Sequence, residues 1–154
     1  MPPVLQWTVR TALLHLVLAF VIGAAYQTDQ WLHWWNLQPY WIVVHVHLAL
    51  VGGVIQMIMG VGLWMFPLTL PIEARLQFRP VLAWLTYGLL NGGLLGRFAF
   101  EAAYRATRRD LFGALTALTA LMQLAALGMF AWHVWSLRVS RRAAASSGGS
   151  GQTP

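Results

Sequence analysis

The stretch that decides the fold is His45-Val46-His47-Leu48-Ala49-Leu50-Val51-Gly52-Gly53, which continues to Phe66 without an acidic residue, lysine or arginine. A run of about 20 predominantly apolar residues is long enough to cross the hydrocarbon core of a bilayer. Ionisable side chains are costly in hydrocarbon and are rare there unless they bind, pair or relay something. The run therefore predicts a membrane-spanning helix, and its two histidines are the first candidates for a functional role.

The composition of the whole chain favours the same class of protein. Of the 154 residues, 58% are hydrophobic and only 9% are charged, and the mean hydropathy is +0.60. A soluble domain typically carries about 25% charged residues. Four apolar segments lie at 11–26, 41–66, 81–99 and 111–135. The last three have the length of a spanning helix, and Trp7 with the aliphatic stem of Arg10 can extend the first.

The connections between these segments are short, which favours helices that neighbour each other in chain order. We therefore predict an all-α fold, an integral membrane four-helix bundle with up-down-up-down topology, in residues 1–142. Residues 143–154 are rich in serine and glycine and are predicted to be a disordered tail. Residues 10–25 would also pass for a signal peptide, with a small-residue site at Gly23-Ala24-Ala25. We favour a retained helix, because 26–40 then forms an aromatic loop at the membrane interface.

The formal charge of +6 comes from arginines at the ends of the segments, and no face of a helix collects them. This distribution does not favour a nucleic-acid partner. Six arginines lie in the N-terminal region, the second connection and the C-terminal region, whereas four lie at 97–109 and none lies at 27–40. By the positive-inside rule, both termini are predicted to be cytoplasmic. The chain has no cysteine, which excludes disulfides, iron–sulfur clusters and thiol redox relays.

The helical period of 100° per residue assigns different directions to the paired histidines. His45 lies within about 20° of Gly52 and Gln56 and is predicted to point into the bundle, along a stripe of small residues. His47 lies about 200° further round and is predicted to face another neighbour or lipid. The two are therefore not expected to bind the same metal ion.

Two further histidines have similar predicted depths. His15 follows Arg10 by five residues, and His133 precedes Arg138 by five. They are predicted to face each other as the two axial ligands of a haem iron near the cytoplasmic side. His45 or His47 would then serve a second site, with a partner from another copy of the chain or from the interfacial His33. The alternative is that the histidines only form hydrogen bonds with backbone carbonyls.

Small residues at four-residue spacing predict the faces along which the helices pack. The polar side chains near these faces are interpreted as interhelical hydrogen-bonding groups. The small residues are Gly52 and Gly60 in the second segment, Gly88, Gly92 and Gly96 in the third, and Gly113 and Ala117 in the fourth; the polar ones are Gln56, Asn91 and Gln123.

The third segment ends in charges at four-residue spacing. Arg97, Glu101 and Arg105 are expected to form exposed ion pairs on a helix that continues beyond the membrane surface. Arg97 lies closest to the bilayer and is placed to meet a phosphate or a haem propionate.

The second segment resembles a known family. Its pattern is His45-x-His47-Leu48, then Gly52, Gly60, Trp64 and Pro67, extended loosely by Trp84, Tyr87, Asn91 and Arg97. The pattern is similar to the second helix of the catalytic subunit of haem–copper oxidases and nitric-oxide reductases, and to small four-helix bacterial proteins grouped with that subunit. The resemblance implies a low-spin haem b with His45 or His47 as axial ligand, and a place in the bacterial cytoplasmic membrane. The chain lacks the later helices that carry the other haem and copper ligands, so a copper-coupled oxygen-reducing site is not expected.

Three functions remain open from the sequence. The first is a b-type haem protein for electron transfer or for binding of O2 or NO, with His45, His47, His15 and His133 as candidate ligands. The second is a cofactor-free accessory or assembly subunit of a respiratory membrane complex. The third is a small transporter or metal-ion carrier, which the lack of acidic residues within the apolar segments disfavours. Expected partners are membrane lipid and either respiratory subunits or further copies of the chain.

Overall fold

The computed structural model describes the backbone of residues 2–68 and 79–148 and the side chains of 2–66 and 79–136, and these residues form helices without any strand. The prediction of an all-α fold is confirmed. The elements are α1 (Pro3–Leu32), α2 (Tyr40–His47), a π-helix (Leu48–Ile55), α3 (Gln56–Leu68), α4 (Pro80–Thr107) and α5 (Asp110–Gly148). The second apolar segment is one uninterrupted helix made of α2, the π-helix and α3, which we call the second long helix.

The helices extend beyond the apolar segments at both ends. Two of them begin with Pro3 and Pro80, because proline at the first helical position loses no intrahelical hydrogen bond. α5 continues to Gly148, so residues 143–148 of the predicted disordered tail are helical, and the rest of that tail lies outside the described residues. The three consecutive alanines at 143–145 favour this extension.

Three helices in the described part of the chain are long and apolar enough to cross a membrane. They are Pro3–Leu32, Tyr40–Phe66 and Asp110–Ser136. The fourth helix, α4, is long enough but less apolar, because Asn91, Arg97 and four glycines interrupt its hydrophobic residues. The sequence predicts four long helices, and the described residues form four. Three of these four are both long enough and apolar enough to cross a membrane.

The helices pack as two pairs. α1 lies along the second long helix, and α4 lies along α5, with smaller contacts between the two pairs. One core cluster joins Val4 and Leu5 with Leu63 and Ala83, and Phe130 packs against it. A second cluster joins Ala19, Val44, Leu48 and Leu94.

The outward faces of the helices stay apolar. Leu14, Val17 and Phe20 of α1 are 55%, 60% and 73% exposed, and Leu121 and Leu124 of α5 are 60% and 66% exposed. Soluble proteins rarely expose contiguous apolar surface on this scale.

Candidate functional site: the histidine face between α1 and the second long helix

Two histidines form hydrogen bonds across the interface between α1 and the second long helix. His45 Nδ1 lies 2.8 Å from the carbonyl oxygen of Ala19 in α1. His15 Nδ1, in α1, lies 3.2 Å from the carbonyl oxygen of Gly52 in the π-helix. Each helix therefore contributes one imidazole donor and one backbone acceptor, and the two bonds run in opposite directions.

Glycine permits the close approach of both rings. A Cβ atom on Gly23 would lie 2.7 Å from His45 Nδ1, and one on Gly52 would lie 2.7 Å from His15 Nδ1. Such separations are well inside van der Waals contact, so each ring packs directly on the backbone of the opposite helix. This is the close packing that small residues provide between helices in lipid.

The carbonyl oxygens beside the two rings determine which ring nitrogen carries the hydrogen. A carbonyl oxygen can only accept a hydrogen bond, so the nitrogen beside it must carry the hydrogen. His15 and His45 are therefore protonated on Nδ1, and in the neutral ring the lone pair lies on Nε2.

The π-helix supplies the acceptor for His15. In an α-helix the amide of Gln56 would donate to the carbonyl of Gly52, four residues earlier. Here that amide donates to the carbonyls of Val51 and Gly53. The widened turn leaves the Gly52 carbonyl for His15, and π-turns of this kind occur frequently at functional sites.

Gln56 provides a third connection between the same helices. Its side chain is completely buried, and Nε2 donates to the carbonyl of Thr8 at 3.1 Å and to the hydroxyl of Thr11. A Cβ atom on Gly60, one turn further, would lie 3.1 Å from the side chain of Thr8. We call the three bonded pairs, His45 with Ala19, His15 with Gly52, and Gln56 with Thr8, the interhelical ladder.

The interior beside the ladder is well filled. A cavity of about 10 Å³ lies next to Gln56 and is lined by Thr8, Thr86 and apolar side chains of α1, α3 and α4. This volume is at the lower limit for a single water molecule. Pockets that enclose an organic ligand measure about 300–1,000 Å³.

His47 points elsewhere, as the helical period predicts. Its Nδ1 lies 2.9 Å from the carbonyl oxygen of Val43 in its own helix. His45 faces α1 together with Gly52 and Gln56, so the predicted inward direction of His45 is confirmed.

The structure does not bring His15 and His133 together. His15 lies against Gly52, whereas a Cβ on Gly62 would lie 3.6 Å from the ring of Phe130, one turn before His133. Ten residues of helix separate the two glycines, about 15 Å along the axis. Two nitrogen ligands of one metal ion lie about 4 Å apart. His133 is buried, and the contact of Phe130 places it at a different level of the bundle from His15. The pairing of the two on one haem iron stays a prediction that this placement does not support.

The described residues contain no group of three or more histidine, cysteine, aspartate or glutamate side chains that could hold a metal ion. His33 caps α1 in a left-handed conformation, and its backbone amide donates to the carbonyl of Asp29 at 2.8 Å. Among the candidate ligands, His15, His45 and His47 each have Nδ1 beside a different backbone carbonyl.

The sequence analysis missed the α1 half of the ladder. Thr8, Ala12, His15 and Ala19 are all buried and lie at spacings of four, three and four residues. This spacing marks one face of a helix and could have identified the contact surface. The small residues of this face of α1 are threonine and alanine, whereas the predicted contact faces of the other helices are marked mainly by glycine.

Asp29 was also missed. Its carboxylate accepts hydrogen bonds from the backbone amides of Trp35, Asn36 and Leu37 at 2.7, 3.2 and 2.5 Å. It therefore fixes the loop between α1 and α2, in which Trp34 and Trp35 are 64% and 60% exposed.

Comparison with known proteins gives no match, whether with family models, curated proteins or solved structures. The likeness of the second apolar segment to the oxidase subunit therefore stays a prediction from its residues.

Proposed function

We propose that the chain is an integral protein of the bacterial cytoplasmic membrane, in which four helices cross up-down-up-down and both termini are cytoplasmic. Three helices of spanning character and the exposed apolar faces of α1 and α5 support insertion. The cluster of Val4, Leu63 and Ala83 with Phe130 supports the alternating direction, since it joins the start of α1, the end of α3, the start of α4 and the later half of α5. The arginine distribution supports the orientation.

Within the membrane, the chain acts as a cofactor-free accessory or assembly subunit. The observation that carries this proposal is the interhelical ladder, in which His15 and His45 donate to backbone carbonyls of the opposite helix. Helix association explains why both rings lie at this interface, without a bound metal. The association with a respiratory complex rests on the resemblance of the second apolar segment to the oxidase subunit.

A b-type haem is the second candidate, and one feature of the histidines favours it. Metal-ligating histidines commonly donate one ring N–H to a backbone carbonyl and bind the metal through the other nitrogen. His45 and His47 both have Nδ1 beside a carbonyl. However, His15 and His133 lie at different levels of the bundle, which does not fit their predicted role as the two axial ligands of one haem. The ring of His45 also packs closely on Gly23.

Reduced-minus-oxidised absorption spectra separate the two functions. The chain is expressed with haem precursor supplied and purified in detergent, and its iron content is measured alongside. The proposal expects no haem bands and less than stoichiometric iron, together with co-purification of larger membrane proteins. The haem function would replace the cofactor-free one if the purified chain held stoichiometric haem, with the haem lost in His45→Leu and kept in His33→Leu.

A further inference from the structure

A basic cleft lies at the end of α4, away from the interhelical ladder. It has a volume of about 510 Å³ and is lined by Arg97, Glu101, Tyr104, Arg105, Arg108, Gly113 and Thr116. Three arginines and one glutamate give this lining a formal charge of +2. A cleft of this size and charge has the dimensions of a small-ligand pocket and attracts an anion.

The arginines of the cleft are held in place by their neighbours. The Glu101 carboxylate lies between Arg97 Nε at 3.7 Å and Arg105 at 2.9 Å, so one acid is shared by two bases. The guanidinium of Arg105 also lies 5.4 Å from the centre of the Tyr40 ring, which is a cation–π distance. These contacts fix two guanidinium groups at the cleft while leaving positive charge in excess.

Arg108 occupies a backbone position that favours glycine. It caps α4 with φ of 54° in the left-handed region, and its amide donates to the carbonyl of Tyr104 at 2.8 Å. His33 ends α1 in the same conformation, with φ of 52°, so this is the geometry of a helix end. The side chain of Arg108 at this helix end lines the cleft.

The cleft lies at the same end of the bundle as the exposed tryptophans of the loop between α1 and α2. Tyr40 begins α2 directly after the loop of Trp34 and Trp35, and its hydroxyl donates to the carbonyl of Phe98 in α4 at 2.7 Å. Exposed tryptophans lie at the level of the lipid headgroups. The most abundant anion at that level is the phosphodiester of a phospholipid.

We propose that the cleft of Arg97, Arg105 and Arg108 binds the phosphodiester headgroup of an anionic phospholipid. Guanidinium groups form paired, charge-assisted hydrogen bonds with phosphate oxygens. Basic pockets between membrane helices are known to take anionic headgroups. This inference rests on the membrane insertion proposed above.

Native mass spectrometry of the detergent-solubilised full chain tests the inference, with phosphatidylglycerol and phosphatidylcholine as probes. Phosphatidylglycerol is expected to be retained in preference to phosphatidylcholine and to resist millimolar inorganic phosphate. Arg108→Gly is expected to lower its retention about tenfold, because a hydrogen bond with an ionised partner is lost. The same variant should unfold no more easily than the parent, since glycine suits this backbone position. Arg10→Gln, which removes an exposed arginine from α1, is the control and should retain the lipid fully.

Equal retention by Arg108→Gly and the parent would overturn the inference, as would an equal loss in Arg10→Gln. Displacement of the lipid by inorganic phosphate would assign the cleft to a free anion instead. Alkaline carbonate extraction of membranes distinguishes failure of the headgroup site from failure of the proposed membrane insertion. Release of the chain by carbonate would overturn membrane insertion, whereas a retained chain without lipid preference would overturn only the headgroup site.

Discussion

The two helix pairs of this protein are held together by different interactions. Between α1 and the second long helix, side chains of His15, His45 and Gln56 cross the interface to backbone acceptors. Between α4 and α5, glycines allow close approach: a Cβ on Gly93 would lie 2.8 Å from the carbonyl oxygen of Thr119.

Three polar side chains of the second pair form hydrogen bonds within their own helices. Thr86 donates to the carbonyl of Leu82, Asn91 to that of Tyr87, and Thr116 to that of Phe112, each four residues earlier. Hydrogen bonds and close packing are the two sources of helix association in lipid, where water provides no hydrophobic drive. This chain therefore uses interhelical hydrogen bonds in one helix pair and close glycine packing in the other. Substitutions in each pair can measure the two contributions separately.

The largest expected effect lies in the glycine-packed pair. Gly93→Ala places a methyl group 2.8 Å from the backbone of Thr119, which cannot move as a flexible side chain would. We expect a loss of about 1–3 kcal/mol in the free energy of unfolding, the usual cost of overpacking. The measurement is reversible unfolding in mixed micelles, followed by circular dichroism.

Gly88→Ala is the matched control on the same helix. A Cβ at Gly88 has no neighbour within 4 Å, so the added methyl meets no described atom. Alanine should leave stability unchanged or raise it by up to about 1 kcal/mol, its advantage over glycine in a helix. Equal destabilisation by both alanines would show that glycine packing does not hold α4 against α5.

The next effect compares two glutamines with buried amide nitrogens, one in each helix pair. Gln56→Leu removes the bonds to Thr8 and Thr11 and is expected to cost about 1–2 kcal/mol. Gln123→Leu removes an amide nitrogen of α5 that is buried without a protein partner, so it should be neutral or stabilising. Unfolding free energies of both variants check this contrast, which fails if Gln123→Leu costs as much as Gln56→Leu.

The smallest effects distinguish the histidines. His15→Leu and His45→Leu each remove one interhelical bond and are expected to cost about 0.6–1.7 kcal/mol. His47→Leu removes a bond within one helix, which would not tie α2 to α1, and should cost less than about 0.5 kcal/mol. The same unfolding assay ranks the three variants. A cost for His47→Leu that matches the other two would refute the distinction between interhelical and local bonds.

The sequence predicted the helices and the direction of His45 well, because both depend on local period and hydropathy. It did not predict the π-helix, since the departure from α-helical bonding at Gly52 depends on the His15 ring that packs there. The sequence also did not predict the level at which His133 packs, for a related reason. Counting residues from Arg10 and Arg138 assumes that each helix meets the membrane at its nearest arginine, whereas packing of Phe130 on Gly62 sets the level of α5.

The interhelical ladder depends on His15 and His45 donating through Nδ1 to the backbone of the opposite helix. Nuclear magnetic resonance of the chain labelled with ¹⁵N-histidine, in micelles at neutral pH, identifies the nitrogen that carries the hydrogen. We expect both rings to carry it on Nδ1, and we expect the His15 signal to change in Gly52→Ala. Rings protonated only on Nε2, or signals broadened by a bound iron, would contradict this expectation.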